Sequence, residues 1–398
     1  MSRNSLSVFP SKVSIVIGLI VIVCVQAAFA QTSSSPIESG ARDFMEYWAA
    51  GRLLLYGGNP YSPEELLQLQ KAAGWRDPVP VIMWNPPWTL SFTAPFGPFT
   101  YTTGQFIWLL FHVSLILLSV RQLWCIYGGA GAASRVPLLL AVAYVPTVFV
   151  LIIGQISPLI LAGLTAFLYF ERRKSFFAAG AAAAILSIKP HLLYLFWIVF
   201  ALWLWRERQW RIVLGALLLG LIIATIPLLF DAQVYSRYFA LYRIADIPRP
   251  LDWLTPTLRT ATRVFIGPDH IWLQFAPSIA GVVWILFHWY RHKAHWEWPE
   301  QLPSVVLVSV LTSFFAWTYD QVVFFPAIVE AAIWIKRQSA VWYSFWAVRA
   351  YIAINLCHAL LRIWVADELW YYWLAPACLL NYVIFLWEKQ RSRTASAV

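Results

Sequence analysis

Long apolar stretches separated by short polar segments dominate the chain. Runs of this kind predict helices that enter a lipid bilayer, which takes about 20 residues to span. Twelve such stretches cover residues 13–30, 105–126, 136–153, 157–170, 175–188, 191–205, 212–230, 271–290, 303–317, 321–335, 340–357 and 369–387. The pattern predicts an all-α polytopic membrane protein of about 10–12 transmembrane segments, or ten to eleven if the short stretches 175–188 and 191–205 form a hairpin that only partly enters the bilayer.

Basic clusters follow alternate stretches and predict the orientation of the chain, because loops rich in Lys and Arg stay in the cytoplasm. With both chain ends inside, two large regions lie outside the bilayer, residues 31–103 and 231–270. Stretch 13–30 also fits a signal peptide cleaved before Gln31, and 31–103 is external in either case. We predict one membrane domain over 1–398. The clusters are at residues 172–174, 206–211, 291–293, 336–337 and 389–393.

Composition strengthens this interpretation. The chain has 398 residues, of which 60% are hydrophobic and 12% charged, whereas soluble domains carry about 25% charged residues. A water-soluble enzyme is therefore excluded. We interpret the net charge of +10 as a topology signal and expect no nucleic-acid partner, because basic loops flank the membrane segments. The cysteines lack metal-binding spacing, and His288, His292 and His295, although at helical spacing, overlap a basic cluster and are interpreted as an interfacial patch. Neither a metal nor another cofactor is therefore predicted.

The first external region combines a polar amphipathic stretch with proline-rich segments. Residues 43–56 carry apolar side chains at helical spacing and predict a short helix at the membrane surface. The turn 57–61 follows it. The sequence Trp84-Asn85-Pro86-Pro87-Trp88 cannot continue a spanning helix, because proline lacks a backbone donor, and we expect this segment to pack on the protein.

The second external region is rich in arginine, which positive-inside statistics disfavour, so we expect an anionic partner. The arginines are Arg237, Arg243, Arg249, Arg259 and Arg263. Acidic lipid headgroups would serve for the first three. Arg259 and Arg263 are four residues apart on one predicted helix face and could grip a phosphate.

Charged residues next to apolar stretches are rare and suggest function. Lys189 precedes Pro190 and either belongs to a site or snorkels to the interface. Asp320 either caps the next helix or lines an external cavity. Gly154-Gln155 forms either an ordinary turn or one that approaches a ligand closely. His358 and Arg362, near an outer helix end, could be anchors or site residues.

The order of short motifs resembles glycosyltransferase family 87 over most of residues 10–335. These motifs are Asp43-Phe44, Tyr47, Arg52, Gly58-Asn59-Pro60-Tyr61, Asn85-Pro86-Pro87, Gly154-Gln155, Lys189-Pro190 and Tyr319-Asp320-Gln321. In two places the chain departs from the family pattern: Asn85 stands where Tyr is expected, and Ser157 follows Gly154-Gln155 where Asn is usual.

The resemblance implies a GT-C-type membrane enzyme that takes mannose or a related sugar from a polyprenyl-phosphate carrier. The acceptor would be a hydroxyl of a glycan or glycolipid on the extracytoplasmic side of the plasma or inner membrane. It also places the family's catalytic aspartate at Asp43. On the residues alone, the favoured role of Asp43 is the N-cap of a helix that starts at Phe44, and the resemblance reverses that preference.

Sugar transfer from a lipid phosphate requires a base for the acceptor hydroxyl and cations for the departing phosphate. We predict Asp43 as the base and expect inversion at the anomeric carbon. The predicted phosphate-binding residues are Lys189, Arg259, Arg263 and Arg52. The predicted substrate-binding residues are Tyr47, Asn59, Gln155, His191, Tyr319 and Asp320.

Two other classes of protein fit a polytopic chain with an external polar cavity. A lipid or sugar transporter would resemble this sequence, but transporters often have internal repeats. No repeat is visible here, because the large external regions follow only the first and seventh stretches. A non-catalytic scaffold in contact with membrane lipids would need neither Asp43 nor Lys189.

Overall fold

The computed structural model describes residues 42–129, 134–244, 253–267, 271–338 and 345–395. Stretch 13–30, with its two interpretations, and Arg249 lie outside these residues. The described residues form helices without any strand: α1 (Arg42–Leu55), α2 (Pro63–Ala72), α3 (Leu90–Thr93), α4 (Tyr101–Ile126), α5 (Val136–Ala143), α6 (Val145–Ile153), α7 (Ser157–Arg172), α8 (Phe176–Ile185), α9 (Tyr194–Glu207), α10 (Trp210–Thr225), α11 (Val234–Leu241), α12 (Leu258–Phe265), α13 (Ala276–His292), α14 (Trp298–Thr312), α15 (Phe325–Arg337), α16 (Trp346–Trp364) and α17 (Leu374–Ala395).

Short 3-10 helices extend or connect several of these elements. They are Pro87–Thr89, Ala94–Phe96, Leu186–Ile188, Ile226–Leu229, Ile271–Phe275, Lys293–His295, Thr318–Phe324 and Glu368–Tyr371. The all-α fold class predicted from the apolar stretches is therefore confirmed.

The predicted 10–12 segments refer to the whole chain, of which the structure describes a part. In the described part of the chain, five helices are long and apolar enough to cross a membrane: Tyr101–Ile126, Trp210–Leu229, Trp272–His295, Thr318–Arg337 and Glu368–Ser392. These make the chain a multi-pass membrane protein. A short apolar helix packed inside the bundle has the same composition as one that faces lipid, so composition alone does not distinguish the two.

The stretch 136–153 illustrates the difference. It divides into α5 and α6, which are bent by 65° relative to each other. Tyr144 is extended and serves as the N-cap of α6, and Pro146 lies at the start of that helix. Proline fits this position because the first helical N–H groups have no intrahelical acceptor. The pair counts as a sixth span only if the two helices are taken together.

α1 is a helix as predicted, but it is not a surface helix with one exposed face. Phe44, Tyr47, Ala49 and Ala50 are completely buried. The indole of Trp108 on α4 packs against Phe44 and Tyr47, with ring centroids 5.5 and 5.6 Å away. The first turn of α1 is therefore fixed inside the protein.

The segment around the two prolines packs on the protein, as expected. Asn85 Nδ2 donates to the carbonyl of Ile188 at 3.2 Å, and Trp88 Nε1 donates to that of Ser187 at 3.2 Å. Both acceptors lie just before Lys189. This segment thus fixes the backbone that carries the lysine.

Close packing of α8 on α10 also sets the position of Lys189. A Cβ on Gly180 would lie 1.9 Å from the carbonyl oxygen of Ile212, and one on Gly215 would lie 2.0 Å from that of Phe177. Only glycine permits this approach, which is typical of helices packed in membranes. α8 continues through Leu186–Ile188 directly into Lys189.

Candidate functional site

Asp43 lies in the first turn of α1, so it is inside the helix and the N-cap alternative is wrong. Its side chain is partly accessible, and Gln155 Nε2 donates to Oδ2 at 2.8 Å. Burial raises the pKa of Asp43 to about 6, against the opposing effects of the Gln155 hydrogen bond and the Arg42 and Lys189 charges. A carboxylate with this pKa is a stronger base than an exposed aspartate and remains mostly ionised at neutral pH.

The amide of Gln155 is oriented by a fixed set of partners. The Tyr47 hydroxyl and the Ile156 N–H both donate to Oε1, the latter at 2.8 Å. Nε2 is therefore directed at Asp43, with the Tyr319 hydroxyl at 3.5 Å. An amide carries both a donor and an acceptor, so these contacts select one orientation.

Gly154 makes the turn that presents Gln155. It has the left-handed conformation, with φ of 77°, at the C-cap of α6, where glycine avoids the penalty of a side chain. Its carbonyl accepts a hydrogen bond from Trp108 Nε1 at 2.8 Å. The same indole packs on Tyr47, so Trp108 aligns the Gly154 turn with α1.

Lys189 and Asp320 form a buried ion pair 131 positions apart in the chain, with 2.7 Å between Nζ and Oδ1. Lys189 is only 5% exposed, so it does not snorkel to the interface. Lys189 Nζ also donates to Ser157 Oγ at 3.1 Å, and Ser157 Oγ donates to Asp320 Oδ1. Asp320 Oδ2 accepts from the Trp317 N–H at 2.9 Å and so caps its own 3-10 helix.

Tyr319 connects the ion pair to Asp43. Lys189 Nζ lies 5.2 Å from the centroid of its ring, while its hydroxyl approaches Gln155. We call the joined set the site cluster: Asp43, Tyr47, Gln155, Ser157, Lys189, Tyr319 and Asp320. One lysine and two aspartates that are far apart in the sequence thus belong to one polar centre inside an apolar bundle.

The other predicted site residues contact different parts of the structure. Arg52 Nη1 donates to the carbonyls of Gly97 and Phe99, at 2.8 and 3.4 Å. Asn59 Oδ1 accepts from the Tyr61 N–H at 3.0 Å and stabilises its own turn. These contacts join α1 to the following loops.

The last predicted site residues are Arg259, Arg263 and His191. Arg259 and His191 contact the segment that follows α14. Arg259 is buried, donates to Gln274 Oε1 through Nε and Nη2 at 3.1 and 2.7 Å, and lies near the rings of Phe314 and Phe315. His191 packs edge-on against Phe315 at 5.7 Å. Arg263 is on the same helix as Arg259 and is partly exposed.

Arg237 in the second external region pairs with an acidic residue of the protein itself. Its Nη1 lies 3.1 Å from Asp231 Oδ2. The anionic partner expected for this arginine is therefore provided by the start of the same region.

Sequence reasoning missed the role of two residues near Asp43. Glu46 follows Asp43 by one helical turn and interacts with Tyr47; burial and then the Asp43 carboxylate raise its pKa well above the usual range, which favours its neutral form. The i, i+3 spacing could have indicated that both carboxyl groups share one face. Ser157 was noted only as a departure from the family pattern, yet it contacts both members of the ion pair.

A second buried network adjoins the cluster through Thr318, and we call it the C-terminal network: Thr318, His358, Arg362 and Glu368. Arg362 pairs with Glu368, donates to Thr318 Oγ1, and contacts His358 Nε2 through Nε at 3.3 Å. Thr318 Oγ1 donates to Glu368 Oε2 at 2.8 Å. His358 and Arg362 are therefore neither exposed anchors nor members of the site cluster, but neighbours that hold its turn.

In chemical terms, the site cluster presents a partly accessible carboxylate of raised pKa beside a buried ammonium group. In the described residues, no three side chains of His, Cys, Asp or Glu are grouped to hold a metal ion. A carboxylate of raised pKa can provide acid–base chemistry, and an ammonium group can stabilise an anion.

Comparison with known proteins gives one family. The model of glycosyltransferase family 87 matches residues 84–321, whereas no curated protein and no solved structure matches the chain. The matched range includes Gln155, Ser157, Lys189, Tyr319 and Asp320, while Asp43 and Tyr47 precede it. Because the match covers more than half of the 398 residues, the chain belongs to glycosyltransferase family 87.

Proposed function

We propose that this protein transfers a sugar, with mannose as the first candidate, from a polyprenyl-phosphate carrier to an acceptor hydroxyl. The reaction would take place on the extracytoplasmic side of the cell membrane. The observation that carries the proposal is the Asp43 carboxylate, partly accessible and held by Gln155 at 2.8 Å close to the Lys189–Asp320 pair.

In this mechanism Asp43 accepts the proton of the acceptor hydroxyl. The acceptor oxygen attacks the anomeric carbon while the bond from that carbon to the phosphate oxygen breaks. The leaving polyprenyl phosphate keeps the bonding electron pair, and its charge is stabilised by the Lys189 ammonium. A single direct displacement inverts the anomeric configuration.

In this role, Lys189 has to bind the phosphate while it keeps its contacts with Asp320 and Ser157. Asp320 already accepts from Lys189, Ser157 and the Trp317 N–H. Since an ammonium group has three donors, Lys189 can add the phosphate as a third partner beside Ser157 and Asp320. Asp320 then positions the lysine rather than contacting the reacting atoms. The family assignment favours this transferase chemistry over the transporter and scaffold alternatives.

The test compares wild-type protein with Asp43→Asn, using a panel of radiolabelled polyprenyl-phosphate sugars that includes mannose and a membrane-lipid extract as acceptor source. We expect wild type to form product and Asp43→Asn to lose about 10²- to 10⁴-fold in rate, because loss of a general base has effects of that size. Asp77→Asn, an exposed aspartate of the same external region, is the matched control. Equal rates for Asp43→Asn and wild type, or no transfer by wild type from any donor, would contradict the proposal.

The pH profile provides a second measure of the same carboxylate. Asp43 must be ionised to act as a base, and burial raises its pKa to about 6. The rate should therefore be constant above this pH and fall about tenfold per pH unit below it. The residual rate of Asp43→Asn should lack this acid limb. A wild-type limb near pH 4 would show that a normal, exposed carboxylate controls the rate.

A further inference from the structure

A row of aromatic side chains leads away from the site cluster, and the proposed chemistry does not use it. Trp317 stacks on Tyr319, with 6.0 Å between ring centroids and 17° between ring planes. Trp253 follows at 6.1 Å from Trp317, Trp84 at 6.3 Å from Trp253, and Tyr242 at 5.4 Å from Trp84. We call Tyr242, Trp84, Trp253 and Trp317 the aromatic row.

The aromatic row is not an ordinary part of the apolar core. Tyr242 is 41% exposed, and Trp84, Trp253 and Trp317 are only partly buried. Four neighbouring aromatic side chains that remain partly accessible form an apolar surface with available ring faces and edges. Such a surface suits a ligand built of successive rings with apolar faces.

The position of the row indicates a water-side ligand rather than an isoprenoid chain. All four residues lie outside the five long apolar helices of the described chain, and each comes from a different segment. Isolated aromatic residues at a membrane surface can serve as interfacial anchors. The members of the row instead contact one another in sequence and end at Tyr319, whose hydroxyl is 3.5 Å from the Gln155 amide that holds Asp43.

The backbone beneath the row is held firmly. The Tyr238 hydroxyl on α11 donates to the carbonyl of Trp84 at 3.1 Å and lies 3.1 Å from the Tyr242 hydroxyl. Asn85, next to Trp84, is bonded to the Ile188 carbonyl just before Lys189. Hydrogen bonds therefore link the backbone of the outer part of the row to the backbone next to the ion pair. This link favours a ligand that reaches from the row to the ion pair.

We propose that the aromatic row binds an acceptor glycan of several sugar rings and places its terminal hydroxyl at Asp43. This inference rests on the proposed function, because it assigns the acceptor of that same site. Sugar rings have apolar C–H faces that pack on aromatic rings, while their hydroxyl groups remain in water. The substrate class is therefore an oligosaccharide or a glycolipid with an oligosaccharide head, rather than a single sugar.

The test measures binding without the donor, using the full chain in lipid nanodiscs and linear mannose and glucose oligosaccharides of one to four rings. Wild type should bind the better of the two series more tightly with each added ring. Trp253→Ala should weaken binding of the four-ring probe about 3- to 10-fold, from the usual size of aromatic contacts, and leave the one-ring probe unchanged. Tyr242→Ala, at the outer end, should affect only the longest probe, whereas Trp317→Ala should affect the two-ring probe as well.

Controls separate this inference from a loss of folding and from the proposed chemistry. Trp364→Ala removes a tryptophan that is 84% exposed and should change nothing, and Trp253→Phe should restore part of the binding. Equal affinity for all ring numbers, or no binding by either series, overturns the inference. So does a result in which Trp253→Ala weakens binding of a polyprenyl phosphate but not of the oligosaccharides. Length-dependent binding by a protein that transfers no sugar would reject the proposed function alone.

Discussion

Two buried networks of charged side chains meet at the turn that contains Thr318, Tyr319 and Asp320, and they differ in how completely their carboxylates are satisfied. In the C-terminal network, the Arg362 guanidinium lies 4.0 Å from the Phe149 ring centroid and 3.8 Å from that of Tyr371. The Glu368 carboxylate forms an ion pair with Arg362 and accepts a hydrogen bond from Thr318. In the site cluster, Asp320 is satisfied in the same way, but Asp43 accepts from Gln155 and is partly accessible.

This difference distinguishes carboxylates whose contacts stabilise the structure from one that is available for chemistry. A carboxylate with several hydrogen-bond and ion-pair partners has its oxygen atoms occupied by the protein. Among the described residues, no cation contacts Asp43 in the way that Lys189 contacts Asp320, and the pKa of about 6 makes Asp43 suitable as a base at neutral pH. The two networks thus use the same residue types, but their carboxylates differ in the number of partners that they have in the described residues.

The largest effect on stability is expected from Arg362→Gln. This change leaves Glu368 buried without its cation, and breaking a buried pair costs about 3–5 kcal/mol of unfolding free energy. Thermal or denaturant unfolding in detergent, followed by tryptophan fluorescence, measures it, with the exposed Arg211→Gln as control. The rate per folded molecule should stay within about threefold of wild type. A lost rate with unchanged stability would assign Arg362 to the reacting site instead.

An intermediate effect is expected from a double-mutant cycle on Lys189 and Asp320. Lys189→Met leaves the Asp320 charge buried and should destabilise the protein, whereas Lys189→Met with Asp320→Asn removes both charges. The double variant should recover about 0.5–3 kcal/mol of unfolding free energy, the usual coupling of contacting residues. Transfer should remain lost in both variants, because the phosphate still lacks its cation. A double variant with the wild-type rate would exclude Lys189 as the phosphate-binding group.

The smallest effect is expected from Tyr47→Phe, which removes one hydrogen bond to Gln155 Oε1. The Gln155 hydrogen bond lowers the pKa of Asp43, so a less firmly oriented amide should move the acid limb of the rate to higher pH. Loss of about 0.5–1.5 kcal/mol corresponds to a decrease of up to about tenfold in kcat/KM. Tyr56→Phe, which alters an exposed tyrosine of the following turn, should match wild type. An unchanged limb in Tyr47→Phe would show that other contacts orient the amide.

Several members of the site cluster lie next to helix breaks that can be recognised in the sequence. Gly154 and Pro190 mark places where a helix must end, so Gln155 and Lys189 could be recognised as polar residues displayed there. The sequence could not show that Arg259 contacts Gln274 and Phe314, since its spacing to Arg263 describes only one helix. Nor could it show that Arg52 and Asn59 stabilise nearby loops, because polar side chains in turns look the same whether they bind substrate or backbone.

Composition and apolar runs alone determined that the chain is helical and lies in a membrane, because burial in lipid requires long apolar segments with internally satisfied backbones. They did not determine how many helices span the bilayer, since packing inside the bundle and exposure to lipid select the same residues. Only the tertiary structure brought Lys189 to Asp320 and Gln155 to Asp43. Contacts between residues more than a hundred positions apart depend on how the helices pack, and no local pattern encodes that packing.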